Sequence, residues 1–285
     1  MNMSGKKIDG RKIADERELE LKKKIENMEY PPKLDTIFAG DDEGSKVYIG
    51  VKNRGCDRVG IETDTHRFPR DVPSEEIESK IKELNHDSEV DGILIQMPLP
   101  DSLEAHSLIE KIKLVKDVEG LHPLHLGSLI TGEEKVIPCT PKGILTMFDH
   151  ENIDLQGKRV CVISHNVTVG KPMALTLLNR NATVDVVHEF TEDLESYTKK
   201  ADILVTAVGK AHFITEDMIP EGCVLIDVGM NRTEEGDLVG DAVFEKCKDK
   251  VSKITPVPGG VGPTTVLSLL ENTFQAALKQ RNGED

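Results

Sequence analysis

The sequence predicts an α/β protein of two domains, an N-terminal α/β domain and a C-terminal domain built on a mostly parallel sheet. Three observations lead there. Segments of strand and helix character alternate along most of the chain. Four β-rich runs follow one another after Gly157, each ending in a Gly, His or polar cluster. A Pro/Gly-punctuated segment between Gly120 and Gly143 separates this second series from the first. A chain of 285 residues is long enough to bury two cores.

In chain order, Asp15 to Glu29 is charged but places apolar residues at Leu19, Leu21 and Ile25, the pattern of an amphipathic helix. Thr36 to Ala39 reads as a short strand and Ser45 to Val59 as a helix. Ser74 is expected to cap the next helix, with Glu75 and Glu76 at its positive end. Gly92 to Met97 is a buried strand that stops at Pro98-Leu99-Pro100, and such strand ends line ligand crevices in open α/β sheets. The second series consists of strand Arg159–Ser164, a loop, a helix from Lys171 to Leu178, and strands Thr183–His188, Ile203–Ala207 and Val224–Val228. These runs suggest a Rossmann-type domain. A last helix, Thr265 to Gln280, follows the Gly/Pro-rich loop 256–263. The expected spans are 1–120, completed by 265–285, and 121–264, with a cleft between the two domains.

Composition narrows the function. Hydrophobic residues make up 38% of the chain, which is a globular composition, and the formal net charge is −15. That acidity disfavours nucleic acid and anionic membrane as partners, since both are polyanions. The five cysteines form no CxxC pair and several lie in apolar runs, as reduced buried thiols of a cytoplasmic protein would. The first residues, Met1 to Arg11, are polar and basic without the apolar stretch of a signal peptide. No apolar run approaches the roughly 20 residues of a membrane span.

The loop after the first strand of the second series is Ser164-His165-Asn166-Val167-Thr168-Val169-Gly170-Lys171-Pro172. A dinucleotide site wants a tight turn there and a helix N-terminus, whose free N–H groups and dipole attract the pyrophosphate. Only Gly170 survives of G-x-G-x-x-G, so the loop alone is equally compatible with a structural strand-to-helix turn. Its company favours dinucleotide binding. Pro172 suits a first helical turn, and Glu189 falls about 20 residues beyond Gly170, where an acidic residue grips a ribose hydroxyl. The second glycine loop, Pro258-Gly259-Gly260-Val261-Gly262-Pro263-Thr264, lacks the lysine of a P-loop; its glycines would let backbone approach a flat ligand, or simply make a turn.

Several ordered segments together resemble the bifunctional methylenetetrahydrofolate dehydrogenase/methenyltetrahydrofolate cyclohydrolase family. They run from Lys7-Ile8-Asp9-Gly10 and Tyr48-Ile49-Gly50-Val51-Lys52 to Asp91-Gly92-Ile93-Leu94-Ile95-Gln96-Met97-Pro98-Leu99-Pro100. They continue with Lys116-Asp117-Val118-Glu119-Gly120-Leu121-His122-Pro123, Pro138-Cys139-Thr140-Pro141-Lys142-Gly143 and Ile226-Asp227-Val228-Gly229-Met230-Asn231-Arg232. The last is Thr255-Pro256-Val257-Pro258-Gly259-Gly260-Val261-Gly262-Pro263.

The resemblance implies two reactions. A hydride passes from 5,10-methylenetetrahydrofolate to NAD or NADP, and water then converts the methenyl product to 10-formyltetrahydrofolate. It also implies a homodimer and a reduced folate as substrate. Lys52, Tyr48 and Gln96 would be catalytic and would bind substrate with Leu99, Glu119, Pro258, Gly259 and Gly260. Ser164, His165, Asn166, Val169, Gly170, Lys171, Pro172, Glu189, Val208, Gly209, Gly229, Met230 and Thr264 would hold the cofactor.

The residue chemistry agrees. Tyr48 and Lys52, four apart on a helix, share a face, where a ring can stack on a pterin and an amine can shuttle a proton. Gln96 is expected to hydrogen-bond the lysine and hold it.

Three departures from the family stand out. Glu119 replaces the usual Asp, which keeps the charge and adds a methylene. Ser164-His165-Asn166 replaces Gly-Arg-Ser, and Glu189 replaces Ser or Arg. Loss of the arginine and gain of a carboxylate disfavour the extra phosphate of NADP, so NAD use is expected. His122 and His125 have the spacing of a metal pair but lack a ligand cluster around them, and no metal is expected. A dehydrogenase with weak or absent cyclohydrolase activity, or a non-catalytic folate-binding protein, are the alternatives. A dehydrogenase for another small metabolite would leave Tyr48, Lys52 and Gln96 unexplained.

Overall fold

The computed structural model describes residues 6–283. The expectation that no signal peptide precedes the fold rests partly on residues outside that range. The strands are β1 (Lys6–Lys7), β2 (Lys33–Ala39), β3 (Glu62–Phe68), β4 (Gly92–Ile95), β5 (Arg159–Ile163) and β6 (Thr183–Val187), followed by β7 (Ile203–Thr206), β8 (Val224–Asp227), β9 (Asn231–Arg232), β10 (Leu238–Val239) and β11 (Lys253–Ile254). The chain divides into two compact units. One comprises Glu16–Ser128 with the residues from Val266 onward, the other Leu129–Thr265 with the residues up to Asp15.

In the first unit, β3, β2 and β4 form a parallel sheet in that order. The central strand β2 is buried from Leu34 to Ala39, and Ile37, Ile77, Ile81, Ile93, Ile95 and Leu108 form the core beside it. Strand β3 is absent from the sequence reading. It is an edge strand of polar residues, half-buried and exposed in turn, so it lacks the apolar run that marks a central strand. The helix Glu43–Val59 begins earlier than Ser45 because Asp42 caps it: the Asp42 carboxylate accepts from the Ser45 N–H at 2.6 Å. It ends at Gly60 in the left-handed region, with φ of 87°.

Two expectations for this unit need correction. Ser74 does not cap the helix Ser74–His86 but is its first residue. Its hydroxyl donates to Glu78 at 3.4 Å, and the capping position falls to Pro73, which offers no side-chain bond. Strand β4 ends at Ile95 rather than Met97, and the chain leaves it through a cis Met97–Pro98 bond. The last helix runs Val261–Asn282, and its later turns complete this unit. Asn272 Nδ2 donates to the Val118 carbonyl at 2.9 Å, and Gln280 Nε2 to that of Asp91 at 2.8 Å.

In the second unit a six-stranded parallel sheet runs β1-β11-β8-β7-β5-β6, and β9 and β10 form a separate antiparallel pair. Strand β7 and most of β5 and β8 are buried, as near-continuous apolar runs in a parallel sheet should be. Here the expected span 1–120 fails at its start. Strand β1 pairs with β11, the Ile8 N–H donates to the Ile254 carbonyl at 2.8 Å, and Ile8 and Ile13 lie in this unit's core.

The helices Pro123–Thr131 and Cys139–His150 occupy what reads in sequence as a punctuated connection. Pro123 and Pro141 are tolerated because both fall in a first helical turn. Gly143 sits in a helix for a packing reason: a Cβ there would meet the Thr264 backbone at 2.8 Å.

Candidate active site

Lys52 lies on the helix Glu43–Val59, one turn beyond Tyr48, and is 0% exposed. Burying an ammonium disfavours its charged form, and this pushes the Lys52 pKa down to about 8, against the weaker pull of Cys56, Glu119 and Asp35. Its Nζ donates to the hydroxyl of Thr36 on β2. Thr36, fully buried, was not among the residues picked out from the sequence. A threonine inside a buried strand carries no signal until the helix that covers it is known.

Gln96 is placed differently from the expectation. Its Nε2 donates to the neighbouring Met97 carbonyl at 2.7 Å, and its Oε1, inside the protein, has no partner among the described residues. Lys52 is therefore held by Thr36, not by Gln96. In the parallel register Thr36 stands opposite Leu94, and Gln96 follows one residue past the end of β4, its N–H donating to the Ile37 carbonyl at 2.9 Å. A buried acceptor without a partner is costly unless a ligand completes it.

Glu119 follows Asp117, whose carboxylate organises the turn by accepting from the N–H groups of Glu119, Gly120 and His122 at 3.2, 3.1 and 2.8 Å. The Glu119 carboxyl is pushed up to about 8, by burial first and by Asp117 second, while Lys52 opposes the shift. Lys52 and Glu119 are thus driven toward their neutral forms from opposite sides, and each restrains the other. Leu99 packs partly buried against the core of this unit.

His122 and His125 stand edge to face, with centroids 6.3 Å apart. His122 Nδ1 accepts from the Leu124 N–H at 3.1 Å and His125 Nε2 donates to the Leu114 carbonyl at 3.0 Å. These are the bonds of a loop-bracing pair.

In the second unit, the loop after β5 is built around Asn166. Its Oδ1 accepts from the N–H groups of Val169 and Gly170 at 2.8 and 3.1 Å, so this side chain satisfies donors that open the helix Gly170–Leu178. Gly170 is required by packing, because a Cβ would fall 2.3 Å from the Ser164 carbonyl oxygen. Ser164, Val169 and Pro172 are buried, while His165 and Lys171 are exposed at the mouth of the loop. At the end of β6, Glu189 lies 3.6 Å from His165 Nδ1, and the His165 and His188 rings are 4.6 Å apart.

The side-chain ligand atoms of His165, His188 and Glu189 lie within 4.8 Å of one another. His188 Nδ1 accepts from the Phe190 N–H at 3.3 Å.

Of the remaining expected residues, Val208 and Gly209 follow β7, and Gly229 and Met230 follow β8. Gly209 has φ of +72° with open space where a Cβ would point, and Met230 is exposed. Thr264 is fully buried, its hydroxyl donating to the Val261 carbonyl at 3.0 Å. In the loop 256–263, Gly260 is explained by packing: a Cβ on Gly10 would meet its carbonyl oxygen at 1.9 Å, and a Cβ on Gly260 would meet the Pro256 oxygen at 2.4 Å. Gly259, with φ of +99° and an open face, is the glycine that leaves backbone accessible, next to exposed Pro258.

Two family models match the chain. "Tetrahydrofolate dehydrogenase/cyclohydrolase, catalytic domain" covers residues 8–119, and the corresponding "NAD(P)-binding domain" covers residues 138–281. The chain belongs to the tetrahydrofolate dehydrogenase/cyclohydrolase family. It is 44% identical to the bifunctional protein FolD of Methanoculleus marisnigri over 270 residues, 95% of each chain. Among solved structures it resembles the bifunctional enzyme FolD from Campylobacter jejuni, with TM-score 0.94 and 40% identity, covering 96% of this chain and 98% of that one. It also resembles the Trypanosoma brucei FolD described as complexed with NADP and inhibitor, with TM-score 0.93 and 31% identity, covering 97% and 98%. Among the described residues, no helix is long and apolar enough to cross a membrane.

Proposed function

We propose that this family member oxidises 5,10-methylenetetrahydrofolate to the methenyl form and hydrolyses that product to 10-formyltetrahydrofolate; the Campylobacter jejuni enzyme it resembles is named a methylenetetrahydrofolate dehydrogenase/cyclohydrolase. The observation that carries the reading is Lys52: a fully buried amine, seated on Thr36, whose pKa of about 8 leaves a useful fraction unprotonated near neutral pH. Such an amine can take the proton from a water molecule as its oxygen bonds to the methenyl carbon. It can then return that proton to the ring nitrogen as the carbon–nitrogen bond opens and the new hydroxyl, losing its own proton to solvent, becomes the formyl carbonyl. Tyr48, one turn away, offers a ring to stack on the flat substrate, and the unpartnered Gln96 Oε1 offers an acceptor for it. Glu119, protonated or not, presents oxygens to the amino and ring N–H groups of a pterin.

The residues of the second unit fit a nicotinamide dinucleotide. The glycine-supported turn before helix Gly170–Leu178, the open backbone at Gly209 and the acidic Glu189 after β6 are the parts such a ligand requires. When bound, it accepts the hydride from the methylene carbon. We further infer that NAD is used at least as well as NADP, because Glu189 beside His165 offers acceptors to a ribose diol and repels a 2′-phosphate. A homodimer, and residence in the cytoplasm, complete the reading.

A spectrophotometric assay with methylenetetrahydrofolate and each dinucleotide in parallel tests it. Dinucleotide reduction followed by loss of the methenyl band supports both steps. Reduction with a methenyl product that decays only at the buffer rate would leave a dehydrogenase alone.

A further inference from the structure

The loops that follow β7 and β8 converge on one buried carboxylate that the proposed chemistry does not use. Asp241 is 0% exposed. Its Oδ2 accepts from the Val208 N–H at 2.6 Å and the Thr206 hydroxyl at 3.2 Å. Its Oδ1 accepts from the N–H groups of Gly209 and Lys210, both at 3.1 Å, and from Asn231 Nδ2 at 3.0 Å. Three successive backbone N–H groups, Val208 to Lys210, therefore point inward at one side chain, and Gly209 takes a positive φ in the turn that results.

Asp241 is itself seated by a second carboxylate. Asp227, the last residue of β8, accepts the Asp241 N–H at 3.0 Å, the Gly229 N–H at 2.9 Å and the Ala242 N–H at 2.8 Å. The fit leaves no slack: a Cβ on Gly229 would fall 2.3 Å from Asp241 Oδ1, and one on Gly240 would fall 2.0 Å from Asp227 Oδ2.

We propose that Asp241 is a positioning residue for the dinucleotide: by binding the Val208–Lys210 turn and Asn231 together, it sets the backbone after β7 and β8 on which the cofactor rests. The inference rests on the reading that Val208, Gly209, Gly229 and Met230 hold the dinucleotide. The physical argument is one of acceptor count. Both carboxylate oxygens face only donors, so an amide in place of the carboxylate turns an NH2 toward N–H groups whichever way it is flipped. The turn must then open, and buried N–H groups are left without partners. No other described side chain reaches these three N–H groups, so nothing else can hold the turn in its place.

The test is Asp241→Asn in the full-length protein, read by two assays and one titration. Dinucleotide affinity is measured from the dehydrogenase KM and from the fluorescence of reduced dinucleotide on titration; the chain has no tryptophan to interfere. The cyclohydrolase is assayed on preformed methenyltetrahydrofolate. Asp241 as a positioning residue raises the dinucleotide KM and Kd by about 10-fold or more, while cyclohydrolase kcat and KM stay within about twofold. Unchanged dinucleotide affinity in a folded variant overturns the proposal. So does a proportional loss of both activities, since that is the mark of a merely structural residue.

If Asp241→Asn does not fold, Thr206→Val and Asn231→Ala each delete one bond to the carboxylate and are read in the same way. A smaller rise in dinucleotide KM, about threefold, supports the proposal, and no rise overturns it. Gly209→Val separates the proposal from its premise. Should it weaken dinucleotide binding while Asp241→Asn does not, Asp241 has no positioning role. Should neither variant weaken it, the assignment of these loops to the dinucleotide fails as well.

Discussion

Lys52 donates a hydrogen bond to the hydroxyl of Thr36, joining the helix Glu43–Val59 to the central strand β2 inside the protein. The hydroxyl oxygen is an acceptor for the ammonium and so favours the charged lysine, against the burial that favours the neutral one. Replacing Thr36 by Val keeps the shape and removes that acceptor. The pH midpoint of the cyclohydrolase should then move to lower pH by about one unit, and Thr36→Ser should restore it. A midpoint identical in the parent and Thr36→Val would show that the hydroxyl does not tune the amine.

The sign of the pH dependence in the parent protein follows from the lysine. A base acts in its unprotonated form, and the Lys52 pKa lies near 8. Cyclohydrolase kcat should rise with pH through this value and level off above it. The Glu119 carboxyl also titrates near 8 and is coupled to the lysine, so the profile reports the pair rather than either group alone. Glu119→Gln removes the attraction that raises the lysine pKa, and the midpoint should fall. A profile that stays flat from pH 6 to 10 would argue against a lysine base.

Cofactor choice should turn on Glu189. The carboxylate stands 3.6 Å from His165 and is exposed, so its repulsion of a 2′-phosphate is modest and screened by salt. Glu189→Ser should raise the ratio of kcat/KM for NADP over NAD by about 10-fold at low ionic strength, and by less at high salt. An unchanged ratio would place the discrimination elsewhere.

Gly170 and Gly10 are fixed by packing, and alanine at either should cost stability rather than chemistry alone. At Gly170 the Cβ would meet the Ser164 carbonyl oxygen at 2.3 Å, and at Gly10 it would meet the Gly260 oxygen at 1.9 Å. Each substitution forces backbone apart, with a cost of about 1–3 kcal/mol, read as a lower midpoint in urea unfolding. Gly170→Ala should also weaken dinucleotide binding, because it moves the helix N-terminus. Midpoints equal to that of the parent would show that these contacts relax freely.

The sequence made the parallel second sheet legible because β5, β7 and β8 are apolar runs between glycine-rich turns. It hid β3, a polar edge strand, and β1, two lysines whose only mark is their pairing with Lys253 and Ile254. Lys52 and Tyr48 stood out as residues four apart on one helix face, and Glu119 stood out only through the family resemblance. Thr36 could not stand out, since a hydroxyl on a strand acquires meaning only when a lysine comes to rest on it. Gln96 lies one residue past the end of β4, and its amide bonds to the Met97 carbonyl rather than to the lysine. Asp241 escaped for a similar reason: its work is done through backbone N–H groups of residues more than 30 positions away.

The central claim is that Lys52 is the proton-transfer group of the hydrolytic step. The most direct measurement is the decay of methenyltetrahydrofolate absorbance with Lys52→Met, compared with the parent protein and with buffer. Lys52→Met should fall by a factor of about 10²–10⁴, toward the buffer rate, while still binding substrate. Hydrolysis at the parent rate by that variant would contradict the account.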